Sequence, residues 1–114
     1  MMQELINTLQ EENCQLVVLH EGNITTFEGR GVRHLYNIMQ EQPELLLGAK
    51  LAVKAVGRSA AQMMKKGGVV EVWAEYMSQQ AYDLLTDTGI KVSYDHKVDH
   101  NKFLDIWERL QEND

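Results

Sequence analysis

The sequence predicts a three-layer α/β/α sandwich around a mixed five-stranded sheet. Stretches with helical apolar spacing alternate with short β-branched runs along the chain, a hairpin signal lies near the amino terminus, and helices separate the last three strands. A helical crossover returns the chain so that successive strands run parallel, whereas a tight turn makes its two strands antiparallel. The hairpin therefore belongs at one edge, with the parallel strands filling the rest.

Met2, Leu5, Ile6 and Leu9 fall at i, i+3, i+4 and i+7, which makes residues 1–13 an amphipathic helix. Leu16-Val17-Val18-Leu19 is a first strand. Glu21-Gly22-Asn23 supplies a turn, and Ile24 to Glu28 alternates polar with apolar residues, completing the hairpin. Gly29-Arg30-Gly31 breaks that strand, and Val32, Leu35, Tyr36 and Met39 form the next helical stripe. Pro43 closes this helix or opens the connection onward.

Leu51 to Val56 is an apolar strand interrupted only by Lys54. Gly57-Arg58-Ser59 turns it into a helix that points Ala60, Ala61 and Met64 inward and ends near Gly67-Gly68. Ser59 and Gln62 have the spacing of a capping box. Val69 to Tyr76 is the next strand, and such continuous runs suit strands covered on both faces. Ser78 can cap the following helix, whose stripe is Ala81, Leu84 and Leu85, and Gly89 stands where a C′ glycine belongs. Ile90 to Tyr94 is the last strand. Phe103, Ile106, Trp107 and Leu110 mark a closing helix over residues 99–113, with Asp99 as its cap.

A length of 114 residues fits one domain, 1–114, and 44% hydrophobic with 25% charged residues is a globular composition. A net charge of −6 with scattered basic residues disfavours non-specific nucleic-acid binding, because phosphate backbones are repelled. Cys14 is the only cysteine, so neither a disulfide framework nor a cysteine-cluster zinc site is available. No apolar run has the length of a signal peptide or a membrane span, which makes the cytoplasm the expected compartment. At this size the core is modest, and a homodimer would add to it.

Four stretches resemble a bacterial family of deaminase-like proteins known as domain-of-unknown-function family 1893. They are Leu16-Val17-Val18 with its hairpin, Lys54 to Ala61 (KAVGRSAA), Val70 to Ser78 (VEVWAEYMS) and Gly89 to Asp95 (GIKVSYD), together spanning residues 14–96. The resemblance implies the cytidine-deaminase-like fold with strand order 2-1-3-4-5, and it implies no established reaction. It also implies a polar, cysteine-bearing tail, where this chain has an acidic amphipathic helix from Val98 to Asp114.

Zinc deaminases hold their metal with a His or Cys near a Glu at one helix start and a Pro-Cys-x-x-Cys pair at the next. Here the corresponding starts read Gly29-Arg30-Gly31-Val32-Arg33-His34 and Ala55-Val56-Gly57-Arg58-Ser59-Ala60. Neither supplies the ligands, which excludes zinc-dependent deamination. No cofactor is expected.

Ligands of open α/β sheets sit beyond the carboxyl ends of parallel strands. Lys54, Gly57, Arg58 and Ser59 follow the third strand, Glu75 and Ser78 the fourth, and Asp95 and His96 the fifth. Gly57 permits close backbone approach, and the amides of the next helix start favour an anion. These residues are the expected binding set for a small anionic or nucleotide-like ligand. Each has a structural reading too: Ser59 as a cap, Gly57 as a turn residue, Arg58 as a solvated helix-start side chain, and Lys54 with Glu75 as an ion pair. Asp95-His96-Lys97-Val98-Asp99-His100 contains two Asp-His pairs but no established metal spacing, so no metal site is assigned. His20 reads as a strand end, His34 as an exposed helix position and Cys14 as a small packed residue. The competing function is a non-catalytic interaction or homo-oligomerisation module that presents Leu5, Leu9, Trp107 and Leu110 from the terminal helices.

Overall fold

The computed structural model describes residues 2–29 and 31–112, with side chains followed as far as Arg109. The expected part of Arg30 in the strand-breaking turn and of the Leu110 side chain in an exposed face lie outside the described residues. The elements are α1 (Met2–Glu11), β1 (Leu16–His20), β2 (Asn23–Phe27), α2 (Gly31–Glu41), a 3-10 turn (Pro43–Leu45), β3 (Lys50–Val56), α3 (Arg58–Gly67), β4 (Glu71–Ser78), α4 (Gln79–Asp87), β5 (Lys91–Val98) and α5 (His100–Glu112). The sheet order is β2-β1-β3-β4-β5. β1 is antiparallel to both β2 and β3, and β3, β4 and β5 are mutually parallel. This is the expected order and mixture of directions.

The hairpin closes through Glu21 and Gly22, both at positive φ, with His20 paired to Asn23. Two consecutive left-handed residues match the twist of the flanking strands. On one face of the sheet Leu16, Val18, Leu51, Val53, Val72 and Ala74 pack with Leu35 of α2, Met64 of α3 and Leu85 of α4. On the other, Val17, Ala52 and Trp73 pack with Leu5 and Leu9 of α1 and with Cys14. Alternate strand residues point to opposite faces, which divides the core this way.

Several expectations need correction. Tyr36 is 57% exposed, and the buried side of α2 runs through Leu35 and Ile38 instead. Ser59 does not cap α3: the N-cap is Gly57, extended at φ −106°, so Ser59 lies inside the first turn. β4 starts at Glu71 rather than Val69, and β5 runs on to Val98 rather than stopping at Tyr94. The extra length of β5 comes from parallel pairing of Tyr76, Met77 and Ser78 with His96, Lys97 and Val98. Backbone pairing holds this edge strand where its side chains, mostly exposed, carry no apolar pattern. Among the described residues no helix is long and apolar enough to cross a membrane.

Candidate functional site

The carboxyl ends of the parallel strands gather several helix starts. α3, α4 and α5 follow β3, β4 and β5 directly, and Phe27, at the end of β2, lies level with Leu16 and Val53 through the strand register. α2 therefore begins at this end as well. A helix start presents amides without intrahelical acceptors. At α4, Ser78 is fully buried and its Oγ accepts from the Ala81 amide at 3.0 Å. At α5, Asp99 Oδ1 accepts from the Lys102 amide at 2.8 Å. α3 follows its N-cap Gly57 without a side-chain cap, and Gly57, Arg58 and Ser59 border the space beyond the end of β3.

That space is a cavity of about 260 Å³ lined on one side by Val32, Ala55, Gly57, Arg58, Ser59 and Ala60. Its other wall is α5, through His100, Phe103, Leu104 and Trp107. Phe103 is buried, and its ring rests on Gly57: a Cβ added there would lie 2.6 Å from Cε2 of the ring. The lack of a side chain at Gly57 lets α5 come down onto the start of α3.

The expected site residues divide into three groups. Gly57, Arg58 and Ser59 line the cavity together. Lys54 and Glu75 pair with each other, Nζ to Oε2 at 3.4 Å, with side chains 30% and 19% exposed. Neither lines the cavity. Ser78 is engaged as a buried cap, and Asp95 is exposed on the edge strand. The sequence reading missed the α5 wall, since its stripe could be assigned to the core without showing where it docks.

Lys54 and Glu75 lie at a local irregularity. β3 and β4 pair from Lys50–Glu71 to Val53–Ala74 and resume at Ala55–Tyr76 and Val56–Met77. β4 and β5 pair through Ala74–Tyr94 and resume at Tyr76–His96. Lys54, Glu75 and Asp95 thus fall at one level across three strands. Beyond that level Val56 and Met77 join the core on the α2–α4 side, like Val53 and Ala74 before it. The strict alternation of faces is reset there. The neighbouring Tyr76 and His96 rings stack at 5.2 Å between centroids.

Three further titratable groups have local partners or surroundings, whereas the buried Nδ1 of His20 has no hydrogen-bond partner. His34 contacts the Glu28 carbonyl oxygen and the Phe27 ring and is partly covered, not the freely exposed position expected. Lys97 lies 4.2 Å from the Tyr82 ring centroid. Burial raises the thiol pKa of Cys14, and the carboxylates of Glu12 and Glu28 push it the same way. Cys14 sits among α1 residues in the second core, away from the lining of the cavity.

A deaminase-type zinc ion does not fit these residues. The start of α3 carries Gly57, Arg58 and Ser59, and the Phe103 ring lies where a ligand-bearing side chain at position 57 would project. Among the described residues no three His, Cys, Asp or Glu side chains come together as a ligand set.

Residues 4–103 match the family model described as a domain of unknown function, DUF1893. Among solved structures, a DUF1893 family protein from Thermotoga maritima superposes with a TM-score of 0.75 at 17% identity, covering 98% of this chain and 86% of that one. The dCMP deaminase of cyanophage S-TIM5, in its apo form, gives 0.57 at 15% identity, with 82% and 92% covered. A diaminohydroxyphosphoribosylaminopyrimidine deaminase/5-amino-6-(5-phosphoribosylamino)uracil reductase from Thermotoga maritima gives 0.51 at 16% identity. That match covers 97% of this chain but 38% of the larger protein. At these identities the likeness is one of fold. No curated protein matches the sequence.

Proposed function

The chain belongs to the DUF1893 family, and from that premise we propose that it binds a small anionic or nucleotide-like ligand in the cavity between the start of α3 and α5. Residues 1–114 act as a single deaminase-like domain in this reading. The observation that carries it is the α3 start, which has no side-chain cap and opens into a cavity that Arg58 also lines. Amides at a helix start favour negative charge, and a guanidinium adds a bidentate donor for phosphate or carboxylate. The remaining walls are largely apolar, with Phe103 and Trp107 offering aromatic surface for a flat group. The names of the two deaminases of similar fold point the same way, since each acts on a phosphorylated, nucleotide-like compound.

Lys54 and Glu75 have a structural role in this proposal. Their charges satisfy each other on the sheet face, which leaves Gly57, Arg58 and Ser59 as the ligand-facing set. The alternative, an interaction module built on the terminal helices, loses one of its two surfaces. Leu5 and Leu9 of α1 are buried against the sheet, and of the two terminal helices, among the described residues, α5 alone presents an exposed large apolar residue, Leu104.

Titration of the full chain with inorganic phosphate and with nucleoside monophosphates tests the proposal, read by thermal shift and, in a Trp73→Phe background, by Trp107 fluorescence. Saturable binding is expected, weakened about tenfold or more in Arg58→Ala, since a charged hydrogen bond contributes on the order of 1.5–3 kcal/mol. Absence of binding by all of these probes at millimolar concentration, with the protein folded, would reject it.

A further inference from the structure

We propose that α5 is a hinged cover: it undocks from the rest of the fold as a unit, with Phe103 as its latch and Gly57 as the seat of the latch. Of the α5 side chains from His100 to Arg109, Phe103 alone is buried, while Ile106 and Trp107 are partly covered and Leu104 is exposed. The other helix on this chain's periphery is held differently. α1 buries Leu5 and Leu9 in a core shared with Val17, Ala52 and Trp73, and it packs on both β1 and β3. Among the described side chains of α5 one buried ring, with partial cover of Ile106 and Trp107, anchors the helix against β4 and the start of α3, whereas α1 is part of the second core.

The connection to α5 also suits a hinge. β5 ends at Val98 and α5 starts at His100, so Asp99 alone joins them. Asp99 caps α5 with its carboxylate, and its carbonyl accepts from the Phe103 amide at 2.9 Å. These bonds stay within α5 and its cap, so they do not resist rotation of the helix away from the sheet end. A detached helix of 13 residues is marginal in water, so its amides exchange with solvent once it leaves.

The cover bears on the cavity because α5 supplies one whole wall. When α5 is docked the space is about 260 Å³, below the usual range of ligand pockets, roughly 300–1,000 Å³. Lifting the cover widens the space for a ligand larger than a simple anion, and contacts with Phe103 and Trp107 reward closing it again. That consequence rests on the ligand reading above; the undocking itself does not.

Hydrogen exchange of the full chain, without added ligand, decides the matter. The amides of α5 beyond its first turn are expected to exchange at least ~100-fold faster than those of β3 and β4, which open only with the whole fold. Phe103→Ala, and independently Gly57→Ala, should accelerate α5 exchange about tenfold or more; β3 and β4 should lose protection by no more than that factor, because both variants raise the docked state from which every opening is measured, and α5 should remain the faster element. Equal protection of α5 and the central strands in the parent protein would overturn the proposal, as would α5 exchange left unchanged by Phe103→Ala. Because no ligand is present, this outcome is independent of the phosphate and nucleotide titrations.

Discussion

Removing the charge at Lys54 separates a structural ion pair from a ligand contact. Lys54 and Glu75 sit 3.4 Å apart with less than a third of either side chain exposed, which places them between a solvated pair and a buried one. Exposed pairs couple by about 0.2–1 kcal/mol, and breaking a fully buried pair costs about 3–5 kcal/mol. Lys54→Met and Glu75→Gln should therefore each destabilise the fold by about 1–3 kcal/mol, because the partner is left half-covered without its counter-charge. The double variant should cost less than the two singles together, by about 1 kcal/mol. The pair Lys50–Glu71 is an internal control on the same two strands. Its separation is 3.7 Å and Lys50 is more exposed, so its coupling should fall below about 0.5 kcal/mol. Urea unfolding at constant m-value gives all the required differences. Additive effects at Lys54 and Glu75, within about 0.3 kcal/mol, would refute the structural assignment. If Lys54→Met also abolished the phosphate response without loss of stability, Lys54 would belong to the ligand.

Three other expectations follow from burial and capping. Leu5→Ala should cost about 2–5 kcal/mol in the same urea assay, since Leu5 is fully buried in the second core; a cost below 1 kcal/mol would show α1 to be dispensable. Ser78→Ala should cost about 1–2 kcal/mol, at the upper end for a cap because the Ala81 amide it serves is buried; a cost below about 0.5 kcal/mol would remove the cap from the account. Cys14 should react with a thiol reagent far more slowly in the native protein than in urea. Its folded thiol pKa is raised, so the neutral form is the one the fold favours: the associated stability is complete below the unfolded thiol's pKa and is lost as pH climbs through the folded value. A pH titration of stability in Cys14→Ala should lack that alkaline decline.

Much of the fold is legible in the sequence where local pattern and tertiary role coincide. β3 and β4 are nearly continuous apolar runs because both faces are covered, and the parallel register brings Lys54 beside Glu75. Legibility fails where backbone pairing or docking decides. Ser59 and Gln62 have the right types for a capping box, yet the extended backbone at Gly57 makes that residue the cap and draws Ser59 into the helix. The end of β5 is polar and exposed, so its strand character comes from the β4 backbone alone. Within the candidate site, Gly57, Arg58 and Ser59 were readable from the strand–turn–helix pattern. Phe103 was readable only as an apolar position, because nothing local to the closing helix records that its seat is a glycine much earlier in the chain.

The contact between Gly57 and Phe103 ties two distant positions into one steric unit. A reactive or metal-binding side chain at position 57 and the present ring at 103 would need the same volume. A side chain at position 57 therefore has to displace the ring at 103 before it can occupy the head of α3. Any replacement of glycine at position 57 is thus coupled to the aromatic on the last helix, and a smaller residue at 103 would relax that coupling from the other side.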